Sequence, residues 1–157
     1  MGEDPSSNRT GTWFVVGQFV LLAAVGLAGP LGRGVASPIP LRGVALGLGV
    51  AAAWFGLAGV WDLGKHLTPM PLPKADSELV TQGIYARVRH PLYASMMALS
   101  VGWSLWWSSL ASIGASIVLI GLLHAKARFE EGWLLRRFPG YGDYMRRVPR
   151  YLPWGRS

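Results

Sequence analysis

Residues 92–123 read LYASMMALSVGWSLWWSSLASIGASIVLIGLL, a stretch without one charged side chain. As a single helix it would extend about 48 Å, well past the roughly 30 Å hydrocarbon core of a bilayer. A break at Trp106, Trp107, Ser108 and Ser109 resolves the excess. Tryptophan prefers the membrane–water boundary, so a tight turn there makes a helical hairpin with arms over about 92–107 and 109–125. The second arm has no reason to stop at the membrane surface. Residues 124–137 carry Ala, Leu, Glu, Lys and Arg without proline, and are predicted to continue the helix into water.

Two further apolar segments precede the hairpin. Residues 12–29 contain no ionised side chain and one strongly polar one, Gln18. A cleaved signal peptide would want a basic start and a shorter apolar core; here Glu3, Asp4 and Arg9 come first. Residues 43–61 form the second span. Gly43, Gly47 and Ala51 recur at four-residue spacing, the pattern that lets helix backbones approach closely in lipid. Gly47 and Gly49 follow no strand, so helix packing is favoured over a phosphate loop.

Composition agrees. Of 157 residues, 51% are hydrophobic and 15% charged, against roughly 25% charged in soluble domains. Such a chain is neither disordered nor able to coat a water-soluble globule. No cysteine is present, which excludes a disulfide scaffold, thiolate metal sites and cysteine nucleophiles. The expected fold is therefore all-α: one integral membrane domain over 1–157 with four transmembrane helices, the last two forming the hairpin.

Orientation follows from Lys and Arg, which stay cytoplasmic. Lys65, Lys74, Arg87 and Arg89 lie ahead of the hairpin, and eight basic residues lie from Lys126 onward. The turn at 106–109 has none, and the first loop has Arg33 and Arg42. Both termini, a central loop over 63–90 and a tail over 126–157 are thus expected on the cytoplasmic side of the cell (inner) membrane. The net charge of +7 needs no nucleic acid partner. Attraction of tail residues Arg136, Arg146, Arg150 and Arg156 to anionic lipid accounts for much of it.

Polar chemistry concentrates in that loop and tail. Pro91 suits the first helical position, which puts His90 near the N-cap, beside an anion-friendly helix end. Glu130 and Glu131 are adjacent, about 100° apart on a helix, so one is expected to face the protein and the other water. Their bland reading is surface pairing with Lys126 or Arg128. The functional one is a carboxylate reaching a hydroxyl or ammonium of a cofactor. His66, His90 and His124 lack metal-ligand spacing, so no metal is expected.

The combination LTPMPLP at 67–73, LVTQGIY at 79–85, VRHPLY at 88–93, Glu130-Glu131 and FPGYGDY at 138–144 resembles the isoprenylcysteine carboxyl methyltransferase family and the related phospholipid methyltransferases, over about 63–154. The resemblance implies a membrane enzyme that uses S-adenosylmethionine without a Rossmann domain, releases S-adenosylhomocysteine, and holds its cofactor in a cytoplasmic pocket. By motif, Gly83, Tyr85, Val88, Arg89, His90, Pro91 and Tyr93 would line that pocket. Glu130 or Glu131 would contact the cofactor, and Tyr141 and Tyr144 would help close over it. The acceptor would be a lipophilic small molecule or lipid (carboxylate, thiol, amine or headgroup) entering from the bilayer. Arg89 or Arg128 would orient an anionic acceptor, with Glu130 serving the cofactor, or the two roles would be exchanged. Methyl transfer from a sulfonium needs alignment and desolvation rather than a nucleophilic side chain. A sterol-reductase-like enzyme binding NADPH, or a non-catalytic membrane scaffold, are the alternatives.

Overall fold

The computed structural model describes residues 5–32, 37–64 and 79–153. The 67–73 run, Lys65, His66, Lys74, Arg33 and Arg156 lie outside them. Five helices make up the described chain, with no strand among those residues: α1 Pro5–Leu31, α2 Ile39–Leu63, α3 Pro91–Trp107, α4 Leu110–Arg137 and α5 Tyr141–Arg147. Three of them are long and apolar enough to cross a membrane, over Arg9–Leu31, Ile39–Leu63 and Leu110–Arg137. Pro91 opens α3 with His90 as N-cap. Only Ser108 and Ser109 separate α3 from α4, and Ser108 takes the left-handed conformation at φ 49° that ends α3. Ser109 then caps α4 by accepting the Ser112 N–H. At 28 residues, α4 reaches about 42 Å, roughly 12 Å beyond the hydrocarbon thickness. The helix α5 was not expected from the sequence; its seven residues are too few for a periodic signal.

The hub is α3, which packs against α1, α2 and α4. Its seam with α2 runs through Ala45, Ala52 and Gly59, all buried, at seven-residue spacing. Small residues admit close backbone approach: a Cβ on Gly102 would stand 3.0 Å from the Ala45 carbonyl oxygen. Ser95 Oγ donates to the Ala52 carbonyl at 2.7 Å. This corrects the expectation placed on Gly43, Gly47 and Ala51. Among the described residues nothing comes within 4 Å of a Cβ on Gly43 or Gly47, so that face is turned outward. Close packing by small residues does operate in α2, on the neighbouring stripe.

Leu27, Val50, Trp54 and Leu57 are exposed, as lipid-facing positions are. The interior is more polar. Near the 108–109 turn, Ser104, Ser109, Ser112 and Ser116 are almost wholly buried. Ser104 Oγ donates to the Ser100 carbonyl at 2.8 Å and lies 2.8 and 2.9 Å from the Ser112 and Ser116 hydroxyls. Ser112 donates to the Val25 carbonyl at 3.0 Å and Ser109 to Ala28 at 2.6 Å. This end of α1, α3 and α4 is thus stitched by hydrogen bonds, which also offset the cost of burying hydroxyls in an apolar medium. The opposite end carries the loop, α5 and the two glutamates.

Candidate functional site

The site begins at the foot of α2. Asp62 accepts the Ile84 N–H at 2.6 Å, which fixes the 3-10 turn Gly83–Ala86. Gly83 has φ +59°, and a Cβ there would run into the Asp62 carboxylate. Both the left-handed backbone and the space demand glycine. Tyr85 and Val88 are buried, and burial pushes the Tyr85 phenol well above its ordinary range.

The tail closes on this turn. The Arg89 and His90 N–H groups donate to the Pro149 and Arg150 carbonyls, each at 3.0 Å. Tyr144 Oη donates to the Tyr85 carbonyl at 2.6 Å. Tyr141 and Tyr144 are buried, with rings tilted and centroids 5.6 Å apart. Leu79, Leu134, Phe138 and Met145 pack around them. Residues 79–90 and the segment beyond α4 therefore form one body at one end of the helices.

At its centre stand the two glutamates, and both are engaged. Glu131 is 3% exposed. Its Oε1 accepts from Arg89 Nε at 3.1 Å and Arg150 Nε at 3.0 Å, and its Oε2 accepts from Arg150 Nη2 at 2.5 Å. Glu130 accepts from the Tyr93 hydroxyl, and its Oε2 lies 3.6 Å from His90 Nδ1. The expectation that one glutamate faces water is thus corrected. The adjacent carboxylates splay to either side of His90, whose Nε2 is 3.2 Å from Glu131 Oε1. Burial lowers the His90 pKa, opposed by the Glu131 hydrogen bond. A neutral ring donates one hydrogen only, from one of its two nitrogens. The ring stacks on Tyr93 with centroids 5.3 Å apart and planes 6° from parallel.

Arg89 lies within this body and is 6% exposed. Its Nη1 donates to the Met145 and Val148 carbonyls at 2.5 and 2.6 Å, at the C-terminal end of α5. With Nε on Glu131, the guanidinium is a brace for the tail. Arg128 is exposed on α4 and is not brought into the cluster. Gly83, Tyr85, Val88, Arg89, His90, Pro91, Tyr93, Glu130, Glu131, Tyr141 and Tyr144 all meet at this end.

Sequence reasoning missed Asp62, Arg150 as a Glu131 partner, and Lys126 with Gln18. Lys126 Nζ donates to Gln18 Oε1 at 2.8 Å and lies 5.2 Å from the Tyr93 ring centre. The four-residue step from Lys126 to Glu130 was the available signal, since it puts both on one helix face. Among the described residues no three His, Asp or Glu side chains form a group that could hold a metal ion.

A model of phospholipid methyltransferases matches residues 41–140. The chain belongs to that family. It is thus a multi-pass membrane protein of a methyltransferase family, and the match takes in α2 almost whole, α3, α4 and the loop between. Two curated relatives extend the similarity over 147 residues, 93% of this chain. One is the nickel-cobalt-cadmium resistance protein NccN of Alcaligenes xylosoxydans xylosoxydans, 27% identical. The other is the cobalt-zinc-cadmium resistance protein CzcN of Cupriavidus metallidurans, 28% identical. The chain spans less than two thirds of either, 65% and 64% of their lengths. No solved structure matches this phospholipid methyltransferase family member.

Proposed function

We propose that this chain is an S-adenosylmethionine-dependent methyltransferase that acts on a lipophilic or membrane-partitioned acceptor. The observation that carries the reading is the joining of residues 83–93, Glu130 and Glu131, and residues 141–151 into one body. Its donor set suits a methyl donor that is zwitterionic, hydroxylated and aromatic. Glu130 offers a carboxylate for ribose hydroxyls or an ammonium. His90 and Tyr93 give a flat stacked wall, and Tyr85, Val88, Tyr141 and Tyr144 give an apolar one. When bound, S-adenosylmethionine supplies a methyl group on a positively charged sulfur, already activated for displacement. The protein's part is to orient and to exclude water. Tyr93 fixes the Glu130 carboxylate by its hydroxyl, Asp62 and Gly83 set the turn, and Arg89 and Arg150 hold the tail down through Glu131.

We read α3, 17 residues and apolar, as a fourth span of about 25 Å. The site end then lies on the cytoplasmic side, where the basic residues of the tail keep it. There a soluble donor enters from water and the acceptor from lipid. The metal-resistance names of the two relatives leave the acceptor open. Titration calorimetry with S-adenosylhomocysteine tests the assignment on detergent-solubilised wild type, Glu130→Ala and His90→Ala. Weakened binding in folded variants is expected, and unchanged affinity in both removes it.

A further inference from the structure

Glu130 and Glu131 are buried side by side, yet their counter-charges differ in kind. Glu131 holds the guanidinium groups of Arg89 and Arg150. The positive charge that bears on Glu130 comes from its own helix, at Lys126, with which it is electrostatically paired. This is no surface pair: Lys126 is 1% exposed and the Glu130 side chain 15%. An ammonium inside a helix bundle is costly and marks function by default. Its contacts fix where the charge sits. Lys126 Nζ donates to Gln18 Oε1 on α1 at 2.8 Å, a neutral partner that seats the ammonium without cancelling it. Lys126 Nζ also lies 5.2 Å from the centre of the Tyr93 ring, whose hydroxyl donates to Glu130. Gln18, Lys126, Tyr93 and Glu130 thus link α1, α4 and α3 to the cluster around His90.

We infer that Lys126, seated by Gln18, is a positioning residue that keeps Glu130 a carboxylate. Without Lys126 the balance favours the acid, because desolvation and the neighbouring Glu131 charge both oppose a second anion. The other ionisable groups that face Glu130 do not replace that charge. α3 brings Tyr93 and, at its cap, the neutral His90. The 3-10 turn brings Tyr85, and the tail brings Tyr141 and Tyr151. None of these phenols is a cation, and Arg89 and Arg150 are engaged by Glu131. An ionised carboxylate accepts hydrogen bonds through both oxygens, and more strongly than the protonated acid. This deepens the methyltransferase reading and rests on it only for what Glu130 serves, the hydroxyls or ammonium of the donor.

Infrared titration of the carboxyl C=O stretch tests the charge state on the full chain in neutral detergent, without ligand. The component lost in Glu130→Gln belongs to Glu130. At the roughly 5–6 Å between neighbours on one helix face, and an effective dielectric constant of about 20, one ammonium moves a carboxyl by about two pH units. Screening by water at the partly exposed Glu130 leaves at least about one unit. In Lys126→Met the Glu130 band is therefore expected at least about one pH unit higher than in wild type; Lys126→Arg keeps the charge and the wild-type position. A smaller shift in Lys126→Met overturns the inference, as does a Glu130 band already present in wild type at about pH 8.5. Lys126→Gln takes the place of Lys126→Met should that variant unfold, and the wild-type criterion needs neither. Titration with S-adenosylhomocysteine reads the consequence. Lys126→Met should bind it about fivefold more weakly than wild type at about pH 7, with the gap narrowing to about twofold by about pH 9. In a Glu130→Gln background the same change should matter less than about twofold. A loss that is independent of pH and equal in both backgrounds is the mark of a merely structural lysine and overturns the positioning role. An infrared shift in a wild-type chain that binds no S-adenosylhomocysteine sinks the methyltransferase reading only, and donor binding without the shift sinks the role of Lys126 only.

Discussion

Replacing Glu131 by Gln keeps the shape of the side chain and removes the one carboxylate that gathers Arg89, His90 and Arg150. Breaking a buried ion pair costs about 3–5 kcal/mol, because the surviving charge stays desolvated. Arg89 and Glu131 are each 3% exposed at the side chain, whereas Arg150 is 25% exposed. Water therefore screens part of the Arg150 contribution, and the lower end, about 3 kcal/mol, is the working value. That energy holds residues 141–151 against the loop. Its loss raises the open fraction of the tail roughly a hundredfold without unfolding α1 to α4. Limited trypsin digestion at Arg146, Arg147 and Arg150 reads this fraction when reclosing is faster than cleavage. Asp143→Asn supplies the contrast. Its partner Arg146 is exposed and the pair is 75% and 66% accessible, so cleavage changes less than about twofold. Digestion of Glu131→Gln within about threefold of wild type would refute the claim that Glu131 anchors the tail.

Two further outcomes follow from the same geometry. Gly83→Ala puts a Cβ at φ +59° into the Asp62 carboxylate; it should cost at least about 2 kcal/mol in detergent unfolding, and wild-type stability would contradict the clash. His90 makes stability pH-dependent: its folded pKa is lowered from 6.5 by burial, so the unfolded chain takes up the proton first as pH falls. The stabilisation is complete above 6.5 and fades below it, so wild type should lose more on acidification than His90→Gln, and parallel curves would dismiss the neutral buried ring.

Much of this architecture is legible in the residues. The uncharged stretch at 92–123 is too long for one span, and Trp106 to Ser109 mark its fold point because aromatic and small polar residues have sharp preferences for depth and turn. Pro91 as a helix start is equally local. Among the described residues, the motif residues at 79–93 and 138–144 do converge. What the sequence left open depends on rotation about helix axes. The four-residue stripe of Gly43 and Gly47 is chemically as good a seam as Ala45, Ala52 and Gly59, and only the partner helix selects between them. Glu130 and Glu131 both turn inward because His90 sits between them, a fact of three-dimensional pairing. Arg89 also donates to the Met145 and Val148 carbonyls through Nη1, contacts that no sequence motif announces. Lys126 looks like the first residue in water, yet α4 carries it behind Tyr93.

The serine hydroxyls near residues 104–116 have a consequence for motion. They clamp α1, α3 and α4 at the end away from the glutamates, whereas α1 and α4 at the other end meet through Gln18, Lys126 and the Phe14–Phe129 ring contact. Two rods pinned at one tip can part only at the other. Relative displacement of this pair is therefore smaller at the serine end than at the end that carries the glutamates.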